Sequence, residues 1–590
     1  MSAEPTKLVI WDLDETFWEG TLTEGGIRYR RDNHDIVIEL CRRGIMNAIC
    51  SKNDFDQVRK ILTREGIWDY FIFPSISWEA KGPRVQALIE SIQLRAPTIL
   101  YIDDNPLNRA EARHFVPELQ VADETIIATL LESPLCQGKN DSELTRLGQY
   151  KLLEKRQADA VAAGGDNLEF LRASNIRVTI EHDIEANIDR AIELINRTNQ
   201  LNFTKSRLSE DAGVARAELR KSLGKYSIQA GLIGVRDRYG DYGYCGFYLM
   251  HSGGGLSVMQ QFCFSCRILG MGVESWLYQR LGRPTLKVVG EVLTDVIHDT
   301  REIDWITIDS ASSAAKAAAG TQFDLVLARG GCDLQALMHY FEIVSKSVAR
   351  EVNTLRNGAN IRVDHSMITR YGIEGLPAGA LEALQPLGYA AEDFRTVLAD
   401  PPRADRVIWV LSFWTDAGFA LYRHRELGIT VPVSLPMPWK NRHDMTRLRV
   451  ADVPDSPNGW VARAVQHLKQ HFTFQGLISK EQFQANLRLV LERGSPENRI
   501  FILLANATWK DNGAERTLRA QADVNAWLAE AAAEFENVKL LQVTDFVKND
   551  SEIQTRNHFD RMVYFRIFEH IVACAAGKDP GADVALPVSE

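Results

Sequence analysis

The chain has 590 residues, 45% hydrophobic and 25% charged, with a formal net charge of −10. Its length predicts about three or four domains rather than one core, and its average composition excludes a mainly disordered chain. The acidic balance argues against a general nucleic-acid binder, which carries a strongly basic face. The start, MSAEPTKLVIWD, lacks a basic segment followed by an apolar one, and no stretch reaches the ~20 apolar residues of a membrane span. A cytoplasmic protein with no membrane span and no nucleic-acid partner is expected. Eight scattered cysteines fit reduced thiols better than a disulfide framework. Cys263 and Cys266 form a C-x-x-C, but no second pair at zinc-like spacing accompanies them.

In chain order, KLVIWDLD, HDIVIELCRRG, MNAICSKND, DFDQVRKILTREG, YFIFPSI, GPRVQALIESIQL and TILYIDDNP alternate short apolar runs with amphipathic stretches. That alternation predicts a doubly wound α/β domain with a parallel sheet over residues 1–130. Residues 131–165, polar and ending near DAVAAGGD, read as a helical connector. From 166 to 300 a helix (NIDRAIELINRTNQLN) is followed by short strands (YSIQAGLIGVRDR, YGYCGFYLMHS) and FSCRILGMGVESWLYQRLG, an α+β pattern. SASSAAKAAAGTQ, residues 310–322, reads as a helix or a linker. Beyond it FDLVLARGG, RVIWVLSFW, RIFILLANA and VKLLQVTDF predict another α/β domain over 320–590. The fold class is therefore α/β, multidomain.

In doubly wound sheets, ligands sit at the carboxyl ends of the strands, where WDLD, CSKN and YIDD fall. Asp12 and Asp14 form a D-x-D pair, which suits phosphoryl transfer: one carboxylate attacks phosphorus while the other protonates the leaving oxygen and later activates water. Such acids also gather around a hard cation such as Mg²⁺. Ser51 can donate to a phosphate oxygen, Lys81 supplies a fixed cation, and Asp103 and Asp104 offer further metal ligands. Tryptophans 11, 18 and 78 lie near these motifs and are expected in core packing.

The order acid pair, Ser, Lys, acid pair resembles the haloacid dehalogenase (HAD) superfamily of aspartate-nucleophile phosphatases. The resemblance implies Asp12 as nucleophile, Asp14 as general acid/base, Ser51 and Lys81 as phosphate holders, and a Mg²⁺ site drawn from Asp12, Asp14 and either Asp103 or Asp104. WDLDETFWEG, CSKND and YIDDNPLNRAE, followed by NRTNQLNFTKSR, VRDRYGDYGYCG and FSCRILGMGVE, further resemble the FkbH-like family, which joins a HAD phosphatase to a GNAT-like acyltransferase domain. This resemblance covers about residues 5–290. It implies that a phosphoglyceryl group from 1,3-bisphosphoglycerate, or a similar acyl phosphate, is captured as a cysteine thioester and dephosphorylated. The glyceryl group would then pass to the phosphopantetheine thiol of a separate acyl carrier protein. An ordinary small-molecule or sugar phosphatase with accessory binding domains is the alternative.

Cys266 is expected to carry the thioester, because Arg267 and an apparent helix start would both favour thiolate. Cys263 and Cys245 are its competitors. Arg267, Gly270 and Gly272 form R-x-x-G-x-G, which resembles the GNAT loop that holds a pyrophosphate or pantetheine arm. Asn199 in NRTNQLN, with Arg197 and Gln200, and Asp237 and Asp241 in RDRYGDYG, match family blocks and would either orient the substrate or cap turns. In the last domain, Cys332 after a strand, Asn506 at a later strand end and His558 before the final helix resemble SGNH-type hydrolases and acyltransferases. That resemblance implies Cys332 as nucleophile, Asn506 as an oxyanion holder and His558 as base. Two residues depart from the pattern: a cysteine replaces the serine, and Thr555 replaces the aspartate three residues before the histidine.

Overall fold

The computed structural model describes residues 4–162, 167–253, 256–309, 323–345, 347–402, 406–437, 442–449, 453–454, 456–511 and 514–577. The stretch 310–322 lies outside the described residues, as does 163–166. The chain divides into two compact units, Met1–Ile176 with Arg236–Tyr242, and Arg177–Val235 with Gly243–Glu590.

In the first unit, β1 (Leu8–Trp11), β2 (Met46–Ser51), β3 (Phe71–Ile76), β4 (Ile99–Ile102) and β5 (Gln120–Ala122) form a parallel sheet in the order β3-β2-β1-β4-β5. Parallel sheets are covered on both faces, so their strands are apolar throughout rather than alternating. β1 shows this directly. Leu8 and Ile10 enter one core with Met46, Ala48 and Tyr101, while Val9 and Trp11 enter the opposite core with Ile49 and Ile102. Helices α1 (Arg31–Arg42), α2 (Phe55–Arg64), α3 (Lys81–Ile92) and α4 (Pro106–Phe115) connect the strands. α2 is capped by the Asp54 side chain and α4 by Asn105, with Pro106 at the first helical position, where its missing N–H costs nothing.

α5 (Thr145–Ala162) falls in the expected connector. It is part of the fold, because Leu147, Tyr150 and Leu153 are buried in the core beneath β1. The turn at residues 236–242 belongs to this unit too, and an added Cβ at Gly240 would press on Leu152.

The second unit holds a six-stranded sheet made by β6 (Ile176–Glu181), β7 (Leu201–Asn202), β8 (Ile228–Arg236), β9 (Asp241–Gly253), β10 (Leu256–Phe264) and β11 (Ile306–Ile308), in the order β11-β6-β8-β9-β10-β7. β11 extends this sheet past the expected boundary at 300. A further parallel sheet follows, from β12 (Leu325–Gly330), β13 (Val348–Val352), β14 (Val407–Ser412), β15 (Arg499–Leu504) and β16 (Val538–Gln542), ordered β13-β12-β14-β15-β16. Helices α6 (Cys332–Val344) and α7 (Arg561–Ala575) pack together over one face of it.

Apart from the residues up to Ile176 and Arg236–Tyr242, which belong to the first unit, the regions expected as separate domains at 166–300 and 320–590 fall in this one unit. A buried seam joins them. Arg561 donates to the His182 carbonyl at 2.8 Å, Tyr248 OH pairs with His339 Nε2 at 2.8 Å, and Arg280 donates twice to the Ile343 carbonyl. Burial depresses both imidazoles below their ordinary value, His182 to about 3, so they act as neutral packing groups. Among the described residues, no helix is long and apolar enough to cross a membrane.

Candidate functional site

The strand order of the first sheet reverses between β1 and β4, and such switch points open a crevice at the strand ends. β1 ends at Trp11 and delivers Asp12 there, held by its own N–H to the Ile102 carbonyl at 2.9 Å. β4 delivers Asp103 beside it. Lys81, the first residue of α3 and only 2% exposed, places Nζ 2.6 Å from Asp12 Oδ1 and 2.7 Å from Asp103 Oδ2. Burial pushes the Asp12 carboxyl above the ordinary carboxylate range; Lys81 pulls it back and Asp103 pushes it further up. Burial also works against the Lys81 charge, but the two carboxylates more than offset it and raise its pKa.

One carboxylate oxygen each from Asp12, Asp103 and Asp104 lies within 4.8 Å of the others, an all-oxygen donor set of the kind a hard divalent cation takes. Their surroundings differ. Asp103 is fully buried and accepts from Lys81, Tyr101 OH, the Asn105 N–H at 2.9 Å and Asn108 Nδ2 at 3.1 Å. Asp104 is half-buried, and its side chain meets Thr16 Oγ1 at 3.5 Å. The unfilled lone pairs of the acid pair are therefore mainly on Asp104.

Asp14, expected among the metal ligands, is not part of this group. Its carboxylate accepts from Trp18 Nε1 at 2.8 Å, the Leu22 N–H at 3.2 Å and Asn53 Nδ2 at 3.1 Å. Ser51 ends β2, nearly inaccessible, and its Oγ meets the same Asn53 amide at 3.1 Å. Asn53 thus joins the second acid of D-x-D to Ser51. Its own Oδ1 is buried without a partner.

Sequence reading passed over Asn53, although it stands in CSKND two residues after Ser51. It also passed over Arg84, which looks like any helix-surface cation. Arg84 is buried and braces the loops after β2 and β3 by donating to the carbonyls of Ser51 at 3.0 Å, Ser77 at 2.9 Å and Glu79 at 3.3 Å, and to that of Ser75. Trp11 and Trp18 are core residues as expected, Trp18 with its indole N–H on Asp14, while Trp78 is 62% exposed.

Cys266 departs from expectation in its local structure. It opens only a three-residue 3₁₀ turn, Cys266–Ile268, capped by the Ser265 side chain. The helix of this segment starts at Val273, because Gly270 and Gly272 take φ of 76° and 78°, left-handed conformations that interrupt a helix. No helix N-terminus therefore supports a Cys266 thiolate. Arg267 turns its Nε to Ser265 Oγ at 3.2 Å. Cys266 remains partly exposed, whereas Cys245 and Cys263 are buried and burial pushes the Cys263 thiol up to about 12. The β7–β10 register, Cys263 opposite Asn202 and Phe264 opposite Leu201, runs Asn199 and Cys266 out of the same end of that pair. Asp237 is a turn residue: its carboxylate accepts from the Tyr239 and Gly240 N–H groups and from Tyr242 OH.

In the second parallel sheet, Gly330 ends β12 and Cys332 opens the 13-residue α6. Cys332 Sγ lies 3.0 Å from His558 Nε2, and Thr555 Oγ1 lies 2.8 Å from His558 Nδ1. Asn506, just past β15, turns its Nδ2 to the Arg556 carbonyl at 3.2 Å.

No protein-family model matches the chain, and no curated protein matches it. Among solved structures, it is similar to the N-terminal part of protein BF1531 from Bacteroides fragilis, described as containing a phosphatase domain complexed with Mg. There the identity is 24% and the TM-score 0.19, over 24% of this chain and 40% of that chain. It is also similar to the cobalt-bound deoxy-D-mannose-octulosonate 8-phosphate phosphatase of Haemophilus influenzae, at 17% identity and TM-score 0.18, over 28% of this chain and 97% of that one. A third likeness is to 3-deoxy-D-manno-octulosonate 8-phosphate phosphatase from Moraxella catarrhalis with magnesium, phosphate and KDO, at 17% identity and TM-score 0.17, over 27% and 94%.

Proposed function

We propose that the first unit is a HAD-type, Mg²⁺-dependent phosphatase, and that the chain uses it in glyceryl transfer. The observation that carries the phosphatase reading is Lys81 held between Asp12 and Asp103 at 2.6 and 2.7 Å, with Asp104 alongside. An oxygen of Asp12 would attack phosphorus as the bond to the leaving oxygen breaks, and Asp14 would protonate that oxygen. Asp14 would then take a proton from water as the water displaces phosphate from Asp12. Lys81 and Ser51 would hold the phosphoryl oxygens, and Asn53 would fix Asp14 and Ser51 relative to one another. Mg²⁺ would be held by Asp12 and by Asp104, the acid with unfilled lone pairs, and would neutralise phosphate charge when bound.

In the finer reading, an acyl phosphate such as 1,3-bisphosphoglycerate acylates Cys266, the phosphoglyceryl thioester loses phosphate, and the glyceryl group moves to a separate acyl carrier protein. The partial exposure of Cys266 supports its choice over Cys245 and Cys263. The absence of a helix start at Cys266 favours the alternative, a small-molecule or sugar phosphatase with accessory domains. Intact-protein mass spectrometry with Mg²⁺ and freshly generated 1,3-bisphosphoglycerate separates the two. The transfer reading expects a thiol-labile glyceryl adduct that is lost in Cys266→Ala and stays phosphorylated in Asp12→Asn. Phosphate release with no adduct would leave the plain phosphatase.

A further inference from the structure

The second unit contains a nucleophile arrangement that the phosphatase chemistry does not use. Cys332 Sγ, His558 and Thr555 are in line through both ring nitrogens, at 3.0 and 2.8 Å. Thr555 and His558 lie on the two strands of a short hairpin, Ile553–Thr555 and His558–Phe559. A fourth residue comes from the region before β8: the Tyr226 ring stacks on the His558 ring with centroids 4.0 Å apart and planes 26° apart. That stacking is held by the backbone, since the Tyr226 N–H donates to Gln554 Oε1 at 2.9 Å and Gln554 Nε2 donates back to the Gly224 carbonyl. The imidazole is thus fixed by one residue on its edge and another on its face.

A small pocket is lined by sequence neighbours of the pair. Its walls include Asp333, next to Cys332, and Asn557 and Phe559, on either side of His558, together with Asn506, Trp414 and Tyr564. Asp333 is held by Ser412 Oγ at 2.8 Å and Trp414 Nε1 at 3.1 Å. Gly331 is required before Cys332, because an added Cβ would strike Trp414 and Asp333. As the first residue of α6, Cys332 leaves its own N–H without an intrahelical acceptor, at the positive end of the helix.

We infer that Cys332 and His558 form a second catalytic centre, a thiol-dependent acyl-transfer site for short-chain carboxylic esters or thioesters, in which Thr555 positions His558 for a thiol nucleophile. Two substitutions offset each other. A serine hydroxyl ionises so reluctantly that its histidine needs a carboxylate to stabilise the imidazolium. Even when burial raises it, a thiol stays more acidic than a serine hydroxyl and gives its proton to Nε2 as sulfur bonds to carbon, so a neutral hydroxyl that fixes the ring is enough. Burial keeps the pair neutral at rest: it pushes the Cys332 thiol up to about 12 and holds His558 below the ordinary imidazole value.

In the reaction, Sγ bonds to the acyl carbon as its proton passes to His558 Nε2, and the Cys332 N–H faces the oxyanion. The bond to the leaving alcohol or thiol then breaks, and that group takes the proton from His558. An acceptor hydroxyl or water next gives its proton to His558 and displaces Sγ, which regains a proton. No oxidant or reductant is needed.

The full-length protein treated with p-nitrophenyl acetate is the direct test, read by peptide mapping. The expected product is a hydroxylamine-labile acetyl group on Cys332 in the unaltered protein, so the assignment does not depend on a variant that folds. His558→Gln should slow its formation about 100-fold, the scale of a lost general base. Thr555→Ser should keep the rate and Thr555→Val should lower it. Cys332→Ser should be nearly inert, and Cys332→Ser with Thr555→Asp should recover part of the lost rate, which no packing role of Thr555 would produce. Acetylation that bypasses Cys332, or an unchanged Cys332 rate in His558→Gln, would overturn the site. Failure of the double variant to exceed Cys332→Ser would overturn the role of Thr555. None of these readouts requires phosphatase activity, so the two readings fail separately.

Discussion

Lys81 Nζ and Asp12 Oδ1 stand 2.6 Å apart in the buried floor of the first site, with Asp103 on the far side of the same ammonium. Lys81→Met would leave two buried carboxylates facing each other, and breaking such a pair costs about 3–5 kcal/mol. The sign with pH follows from linkage. Without Lys81 the folded Asp12 rises further above its unfolded value, so between the two the folded state holds a proton that the unfolded state has lost. Stability then falls as pH rises through that window. Thermal melts of Lys81→Met should give a higher Tm at pH 5 than at pH 8; a Tm that climbs with pH would contradict this account.

Mg²⁺ binding should be linked to the same titration. Because burial already lifts Asp12 above the ordinary range and a metal needs the carboxylate form, binding releases protons and strengthens as pH rises. Thermal stabilisation by Mg²⁺ should be larger at pH 8 than at pH 5, reaching about 2.7 kcal/mol at a hundredfold excess over Kd. Asp104→Asn should abolish it. Calorimetric titration in buffers of different ionisation enthalpy would measure the released protons.

Asn53→Ala removes the amide shared by Asp14 and Ser51. Since general acid–base catalysis contributes about 10²–10⁴-fold, loss of its positioning should lower kcat for phosphate release by about tenfold or more, with KM changed less. A changed KM at constant kcat would assign Asn53 to binding instead.

Arg84→Ala should destabilise the first unit by about 3 kcal/mol or more, because a single hydrogen bond to a charged group contributes about 1.5–3 kcal/mol and four carbonyls lose a shared donor. Amide hydrogen exchange of the full chain, read in strands β1–β5, would report it.

All eight cysteines are free, and only Cys266 and Cys332 are partly exposed. Brief iodoacetamide treatment of the native protein should alkylate Cys266 first, because the thiolate is the reacting form and burial holds the Cys332 thiol up at about 12; the remaining thiols should react only after unfolding. Early labelling of Cys41, Cys50 or Cys263 would mean that their strands open more readily than their packing implies.

What the sequence by itself determined was the chemistry at strand ends. Apolar runs such as LVIW and ILYI specify strands buried on both faces, and a parallel sheet then brings Asp12, Ser51 and Asp103 to one edge whatever else the chain does. Tertiary structure decided which atoms meet there. Asp14 turns to Trp18, Leu22 and Asn53, and Asp103 is filled by Lys81, Tyr101, Asn105 and Asn108; the partners that cross between strands, Asn53 and Lys81, lie 39 and 22 residues away in sequence and leave no periodic trace. The helix expected at Cys266 failed for a local reason that pattern does not report, the positive φ of Gly270 and Gly272. Residues 166–300 and 320–590 read as separate domains because each has its own strand pattern; most of both falls in one unit, joined across the seam by Arg561 on the His182 carbonyl and by Tyr248 with His339. Tyr226 reaches His558 by the same means, through side chains whose partners lie more than 300 residues away.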